Sequence, residues 1–295
     1  MTTERMKDIV NAAEADYLSI GEWMLNREVS RSGKTKEAIL LQMRERLHVM
    51  KKAVRQGITN TEESESGLSG GDAARMQHYT QQNVPLSGKL ISDAMLFAMA
   101  TSESNARMEV IVATPTAGSA GILPGILLSL EENQHISENQ ITMGLFSASA
   151  IGYVFANHEM ISGAAGGCQA EIGSAAAMAA GTIVEIKGGT PTQASDAVAI
   201  AMKSLLGLVC DPVAGLVEVP CVKRNVIGTS IAFSAADMAL AGIQSRIPCD
   251  EVIDTMHRIG SSMPGSLKET SKGGLAVTPA GQRAASAMAE RPCSF

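Results

Sequence analysis

Aromatic residues are scarce in this chain, at 3% of 295 residues with a single tryptophan. β-Sandwiches draw on aromatic and β-branched side chains for their facing sheets, so the scarcity argues for closely packed helices. Positive charge is not in excess either: 24 Lys and Arg stand against 30 Asp and Glu, a formal net charge of −6. With no basic face to meet a phosphate backbone, nucleic acid is excluded as a partner. The opening residues, MTTERMKDIV, lack the apolar run of a signal peptide, which places the chain in the cytoplasm. Cysteines number five, an odd count without a Cys-x-x-Cys pair. That excludes a disulfide framework and the close spacing of zinc fingers and bacterial ferredoxins. A GxGxxG fingerprint is absent, as is a glycine-rich phosphate cradle beside a Schiff-base lysine, so neither a dinucleotide nor pyridoxal phosphate is expected.

What is present is small and apolar: 45% of residues are hydrophobic, with 17 methionines and 28 glycines. Residues 1–56 alternate apolar and charged positions at helical spacing. Ile39, Leu40, Met43, Leu47 and Met50 share one face, as in an amphipathic surface helix. Residues 57–85 are polar and glycine-bearing and read as a long loop. Residues 86–276 form an apolar core with sparse charge, the pattern of helices enclosed in a bundle. Residues 277–295 read as a C-terminal tail, helical or mobile.

Within that core the uncharged run Val110–Leu130 is long enough to suggest a membrane span. Pro115, Pro124 and three glycines interrupt it, so it reads as a buried, broken helix pair and no membrane is expected. ARMEVIVAT and GTIVEIKG are the best short strand candidates. Pro191 opens one capped helix, and Pro248 with Gly260 brackets another. The expected fold is mainly α, a single large domain with buried Ala/Gly-rich helices.

Chemistry concentrates around the cysteines. Cys168 follows a Gly-Gly pair, Cys210 lies in GLVCDPVAG and Cys221 in VEVPCVKRN, each at a glycine- or proline-containing break between apolar segments. Spacing alone is compatible with buried structural thiols, although core filling rarely needs such turns.

Four strings, ATPTAGSAGILPG, ISGAAGGCQAEIGSAAAMAAG, GLVCDPVAGLVEVPCVKRN and KETSKGGLAVTP, in this order, resemble the α chain of the iron–sulfur L-serine dehydratases; the polar SGLSGGDA fits the same family. The likeness covers roughly residues 1–280. It implies that the helical domain is catalytic and that Cys168, Cys210 and Cys221 hold a [4Fe-4S] cluster. Three thiolates on four irons leave one iron open as a Lewis acid. The implied reaction is β-elimination of water from L-serine, giving pyruvate and ammonia without pyridoxal phosphate. Some members of the family place a C-terminal cysteine on the fourth iron, a role open to Cys293 unless it is a surface thiol. Cys249 matches no ligand motif and reads as structural.

Other site assignments leave two readings open. Thr114, Thr116 and Ser119 could receive a substrate carboxylate or serve a helix start. Ser69, Gly70 and Gly71 could cover the site or form a plain turn. Lys223, Arg224 and Asn225 directly follow a ligand. Arg224 could hold the substrate carboxylate or make an internal ion pair. His158 is a candidate for taking the Cα proton or a core histidine. The family's small α/β regulatory domain has no counterpart in these residues, so a separate β chain and an oligomeric assembly are expected. Alternative classes are a noncatalytic metal-cluster scaffold and a membrane-embedded helical carrier.

Overall fold

The structure, a computed structural model, describes residues 5–157 and 160–290. The amphipathic N-terminal segment folds as α1 (Met6–Ala15), α2 (Ile20–Ser32) and α3 (Lys36–Thr59). Ile39, Leu47 and Met50 are buried on α3 as their spacing requires, with Leu40 and Met43 packed partly against the core. The polar stretch that follows is only partly a loop: α3 runs to Thr59, and α4 occupies Asp72–Gln82.

The central layer is α5 (Gly88–Ala106), α6 (Ile122–Gln134) and α7 (Glu138–Ala156), followed by the single turn α8 (Gly163–Gly166). Then come α9 (Ser174–Ile186), α10 (Pro191–Lys203), α11 (Cys221–Leu240), α12 (Cys249–Ser262) and α13 (Pro279–Ala289). At the centre is α9, buried without interruption from Ser174 to Val184 and packed by α6, α7, α10 and α11. Its alanines permit that enclosure, because helix axes approach closely only where side chains are short. The same logic holds at Gly57 of α3, where a Cβ would lie 1.9 Å from the carbonyl oxygen of Ala100 on α5.

The strand expectations are corrected. Among the described residues there is no β-strand. GTIVEIKG lies mostly in the last turns of α9, where burial on all sides overrides the β-propensity of Ile183 and Val184. ARMEVIVAT ends α5 and continues as irregular chain. Val110–Leu130 is likewise not a helix pair: an irregular segment leads into a single 3₁₀ turn (Ala117–Ser119) and then α6. No described helix is long and apolar enough to cross a membrane.

Carboxylates from distant helices cap three helix N-termini. Asp250 of α12 accepts the Met6 and Lys7 N–H groups at 2.8 and 3.1 Å. Glu185 of α9 accepts those of Ile20 and Gly21 at 2.5 and 3.1 Å. Glu103 of α5 accepts those of Asp72 and Ala73 at 2.8 and 3.4 Å. Each carboxylate lies where a helix leaves N–H groups unpaired, and the Asp250 and Glu185 caps join elements remote in sequence.

Candidate metal centre

The centre begins at Gly167, whose φ of +77° turns the chain out of α8 so that Cys168 enters a π-helical turn, Gln169–Gly173. The turn's wider girth carries Glu171 to the same wall as Cys168. The fully buried Gln169 fastens this segment. Its amide donates to the carbonyls of Gly166 (3.0 Å) and Met256 (2.9 Å), and its side-chain oxygen accepts from Gly207 N–H (2.9 Å).

Cys210 arrives on a second segment, held by a short parallel pairing with the chain after α12. Its N–H donates to Leu267 O at 2.9 Å, and Glu269 N–H donates to Cys210 O at 2.8 Å. Asp211, 3% exposed, accepts from Arg224 at 2.9 Å and from Leu275 N–H at 2.8 Å. Arg224 also donates to Val209 O at 2.9 Å, so α11 is tied to the Cys210 segment at two points.

The Cys168 and Cys210 sulfurs and a Glu171 carboxylate oxygen all lie within 4.8 Å of one another, and all three residues are buried. Cys221, buried at the first position of α11, lies outside that group but close enough for charge on Cys168 and Glu171 to act on it. The Cys210 S–H hydrogen bond holds Cys168 below the usual thiol range; burial works against this and the Arg224 charge assists it. Cys210 is pushed up by that same bond and by burial. Burial, then the charges of Cys168 and Glu171, pushes Cys221 up to about 12. Burial also raises the Glu171 carboxyl, against the Thr116 hydroxyl bond that lowers it.

Glycines let the donor groups approach the wall this closely. A Cβ at Gly163 would fall 2.5 Å from the Cys210 sulfur and 3.3 Å from a Glu269 carboxylate oxygen, and one at Gly118 would fall 2.6 Å from Glu171. Thiols crowded in a dry wall lose their protons readily only to a cation that replaces them, so the donor set fits a thiophilic metal or cluster.

The remaining candidate residues divide by location. Thr116 donates to Glu171, and its hydroxyl lies 3.2 Å from that of Ser119, which donates to Thr114 O at 3.1 Å. Asn225 has its oxygen on Gly121 N–H (3.0 Å) and its amide on the carbonyls of Gly118 (2.7 Å) and Cys221 (3.0 Å), clamping α11 to the Thr116 loop. Thr114, one of the residues lining a separate cavity, has a buried hydroxyl without a partner among the described residues. Lys223 is exposed and pairs with Asp72. Ser69 donates to Glu218, while Gly70 and Gly71, with φ of +137° and +75°, make the turn into α4. His158 and Cys293 lie outside the described residues. Cys249 is buried beside Ser195 and Asp250, away from these neighbours.

Sequence reading missed Gln169, Glu269 and Glu218. Glu218, 5% exposed, accepts hydroxyls from Ser64 (2.6 Å), Ser66 (2.8 Å) and Ser69, locking the polar loop onto the segment just before Cys221. The repeated serines of SESGLSGG were the available signal, but nothing in their spacing names the partner.

A mainly helical fold whose chain breaks deliver buried thiols and a carboxylate to one wall defines a helical scaffold able to hold a thiolate-bound metal. The Serine dehydratase alpha chain family model matches residues 15–276, and the chain belongs to that family. It is 54% identical over 277 residues to "Probable L-serine dehydratase, alpha chain" of Bacillus subtilis (strain 168), covering 94% of this chain and 92% of that protein. It is 40% identical over 277 residues to "L-serine dehydratase, alpha chain" of Peptoniphilus asaccharolyticus, covering 94% and 95%. With "L-serine dehydratase" of Streptomyces coelicolor it shares 38% identity over 277 residues, 92% of this chain but 60% of that protein.

Proposed function

We propose that this chain is the catalytic α subunit of an iron–sulfur L-serine ammonia-lyase of the cytoplasm, with Cys168, Cys210 and Cys221 holding a [4Fe-4S] cluster. The observation that carries the reading is the buried meeting of Cys168, Cys210 and Glu171 in a member of the serine dehydratase family. When bound, the cluster supplies an open iron that makes the serine hydroxyl a better leaving group. The chain's own residues do the rest. Glu171, its carboxyl raised by burial and bonded by Thr116, lies beside the sulfurs and is the proposed proton donor to the leaving hydroxyl. Arg224 keeps positive charge next to Cys168 while braced by Asp211, and so favours an anionic substrate group. Ser119 and Asn225 fix the loop that carries Thr116. Ser69, Gly70 and Gly71 close the wall behind Cys221 through Glu218. Lys223 sits at the exposed rim beside Asp72. His158 is the proposed acceptor of the Cα proton, and Cys293 the proposed occupant of the fourth iron before substrate arrives. Aminoacrylate released from the site tautomerises and hydrolyses to pyruvate and ammonia.

A separate β chain carrying a regulatory α/β domain, within an oligomer, completes the proposal. Support comes from the relatives named as α chains and from the Streptomyces relative, of which the match covers 60%. The test is anaerobic reconstitution of wild type and Cys210→Ala with iron and sulfide. Wild type is expected to turn brown, bind about four irons per chain and make pyruvate from L-serine. Cys210→Ala is expected to lose both colour and turnover. Full iron content and full activity in that variant would rule the ligand role out.

A further inference from the structure

Glu269 reaches the metal centre from the chain that follows α12. Its N–H donates to Cys210 O at 2.8 Å, one rung of the short pairing that also joins Cys210 N–H to Leu267 O at 2.9 Å. Its φ of +60° lies in the left-handed region, which a residue with a Cβ adopts only at a cost. The side chain extends into the centre: the point that a Cβ on Gly163 would occupy is 2.5 Å from the Cys210 sulfur and 3.3 Å from a Glu269 carboxylate oxygen. A small molecule held against that sulfur is therefore within reach of the carboxylate. The Glu269 charge also acts on Glu171, Cys210 and Cys221.

Among the acidic groups of this wall Glu269 alone is uncommitted. Glu171 accepts from Thr116, and Asp211 accepts from Arg224 and from Leu275 N–H. The Glu269 carboxylate makes no hydrogen bond or ion pair among the described residues, and on a half-buried residue its oxygens stay open to solvent. Negative charge held beside thiols and a second carboxyl is unfavourable until a cation answers it.

The reaction proposed above brings such a cation with its substrate. Arg224 favours the carboxylate of serine and Glu171 serves the leaving hydroxyl, which leaves the α-ammonium unmatched. An open carboxylate oxygen next to a ligand sulfur is a charge-assisted acceptor for that group.

We infer that Glu269 accepts the α-ammonium of the substrate and so selects α-amino acids over acids without an amino group at this centre. The inference rests on the reaction proposed above. Elimination breaks bonds to a proton on Cα and to oxygen on Cβ and leaves the ammonium in place. Its contact is thus the same before and during the reaction, and losing it is expected to raise KM and spare kcat.

The test compares the anaerobically reconstituted full chain with Glu269→Gln, which keeps the shape of the side chain and removes its charge. The KM for L-serine is expected to rise about tenfold or more, the scale of one hydrogen bond between charged groups, with kcat within about twofold. Calorimetric titration gives a readout apart from turnover, with two ligands that have no hydroxyl to lose: L-alanine, and propanoate, which lacks the ammonium. Wild type is expected to prefer L-alanine by about tenfold or more, and Glu269→Gln to bind the two about equally. Glu269→Asp keeps the charge on a shorter arm and should recover part of the preference. Iron content should match wild type in both variants. An unchanged KM in Glu269→Gln, an undiminished preference for L-alanine in it, or loss of iron from it, which would make Glu269 a ligand, would each overturn the inference. A wild type that makes no pyruvate from L-serine would bring down the proposed reaction and this inference together, whereas normal wild-type turnover beside an unaltered Glu269→Gln brings down this inference alone.

Discussion

Within the centre, the fold disfavours the ionised form of Glu171. Burial, with the Glu269 charge behind it, raises its carboxyl above 4.5, and the Thr116 hydroxyl only partly offsets this. A carboxyl with a raised folded pKa binds more protons folded than unfolded. Its contribution to stability is therefore complete below the unfolded value of about 4.5 and is lost as pH rises through the folded one. In the iron-free protein, Glu171→Gln should flatten part of the fall in thermal midpoint between pH 5 and pH 8, and at pH 8 the variant should be at least as stable as wild type. Calorimetric scans at several pH values check this; identical pH slopes for the two proteins would remove Glu171 from the explanation. Glu171 is the one charged residue of the Ala/Gly-rich run 161–181. Its partners, Thr116 and Glu269, come from elsewhere in the chain, so the sign of its shift was not legible there.

At the scale of elements, helices whose period reports their burial were readable, and helices built by distant caps were not. α3 shows one apolar face and was plain from spacing. α4 buries only Ala73 among its eleven residues, so its sequence carries no hydrophobic period. It forms because Gly71 turns into it at φ +75° and because Glu103, from the next helix, receives its first two N–H groups. Glu103 is 1% exposed, and burial raises its carboxyl even as those N–H groups lower it. Glu103→Ala removes the cap and leaves buried donors unpaired, a loss of about 2 kcal/mol in global stability. Hydrogen exchange should then show amides of residues 72–76 opening faster than those of α9. Unchanged protection there would mean that packing, not the cap, holds α4. The misread strand in α9 has the opposite cause: β-branched residues read as strand locally, but a bundle centre rewards any side chain that fills it.

Over the whole molecule, the family resemblance implies that three cysteine-bearing segments 42 and 11 residues apart in sequence meet; the structure brings the Cys168 and Cys210 sulfurs within 4.8 Å, with Cys221 outside that group. The supports around these segments were not legible, because each is one side chain reaching across the chain: Gln169 onto the Gly207 segment, Asn225 onto the Gly118 loop, Glu218 onto the polar serine loop. Of these the Glu218 latch has the clearest consequence. One buried carboxyl receives three hydroxyls from Ser64, Ser66 and Ser69, so the loop between α3 and α4 and the turn leading to Cys221 move as one body. Removing the carboxyl frees the loop and leaves those hydroxyls buried without their acceptor, at a cost of about 2–4 kcal/mol. Glu218→Ala is thus expected to expose residues 60–71 to proteolysis at a rate several times that of wild type. Reconstituted iron should also leave faster under a chelator, because Cys221 begins the helix that the latch steadies. A conservative Glu218→Gln change keeps an acceptor for one or two of the serines and should recover much of both properties. Mass-spectrometric mapping of the first cleavage sites, alongside iron release, measures the two effects in one sample. Fast cleavage with unaltered iron release would confine the latch to the loop, and slow cleavage in Glu218→Ala would show that the loop is held by something other than this carboxyl.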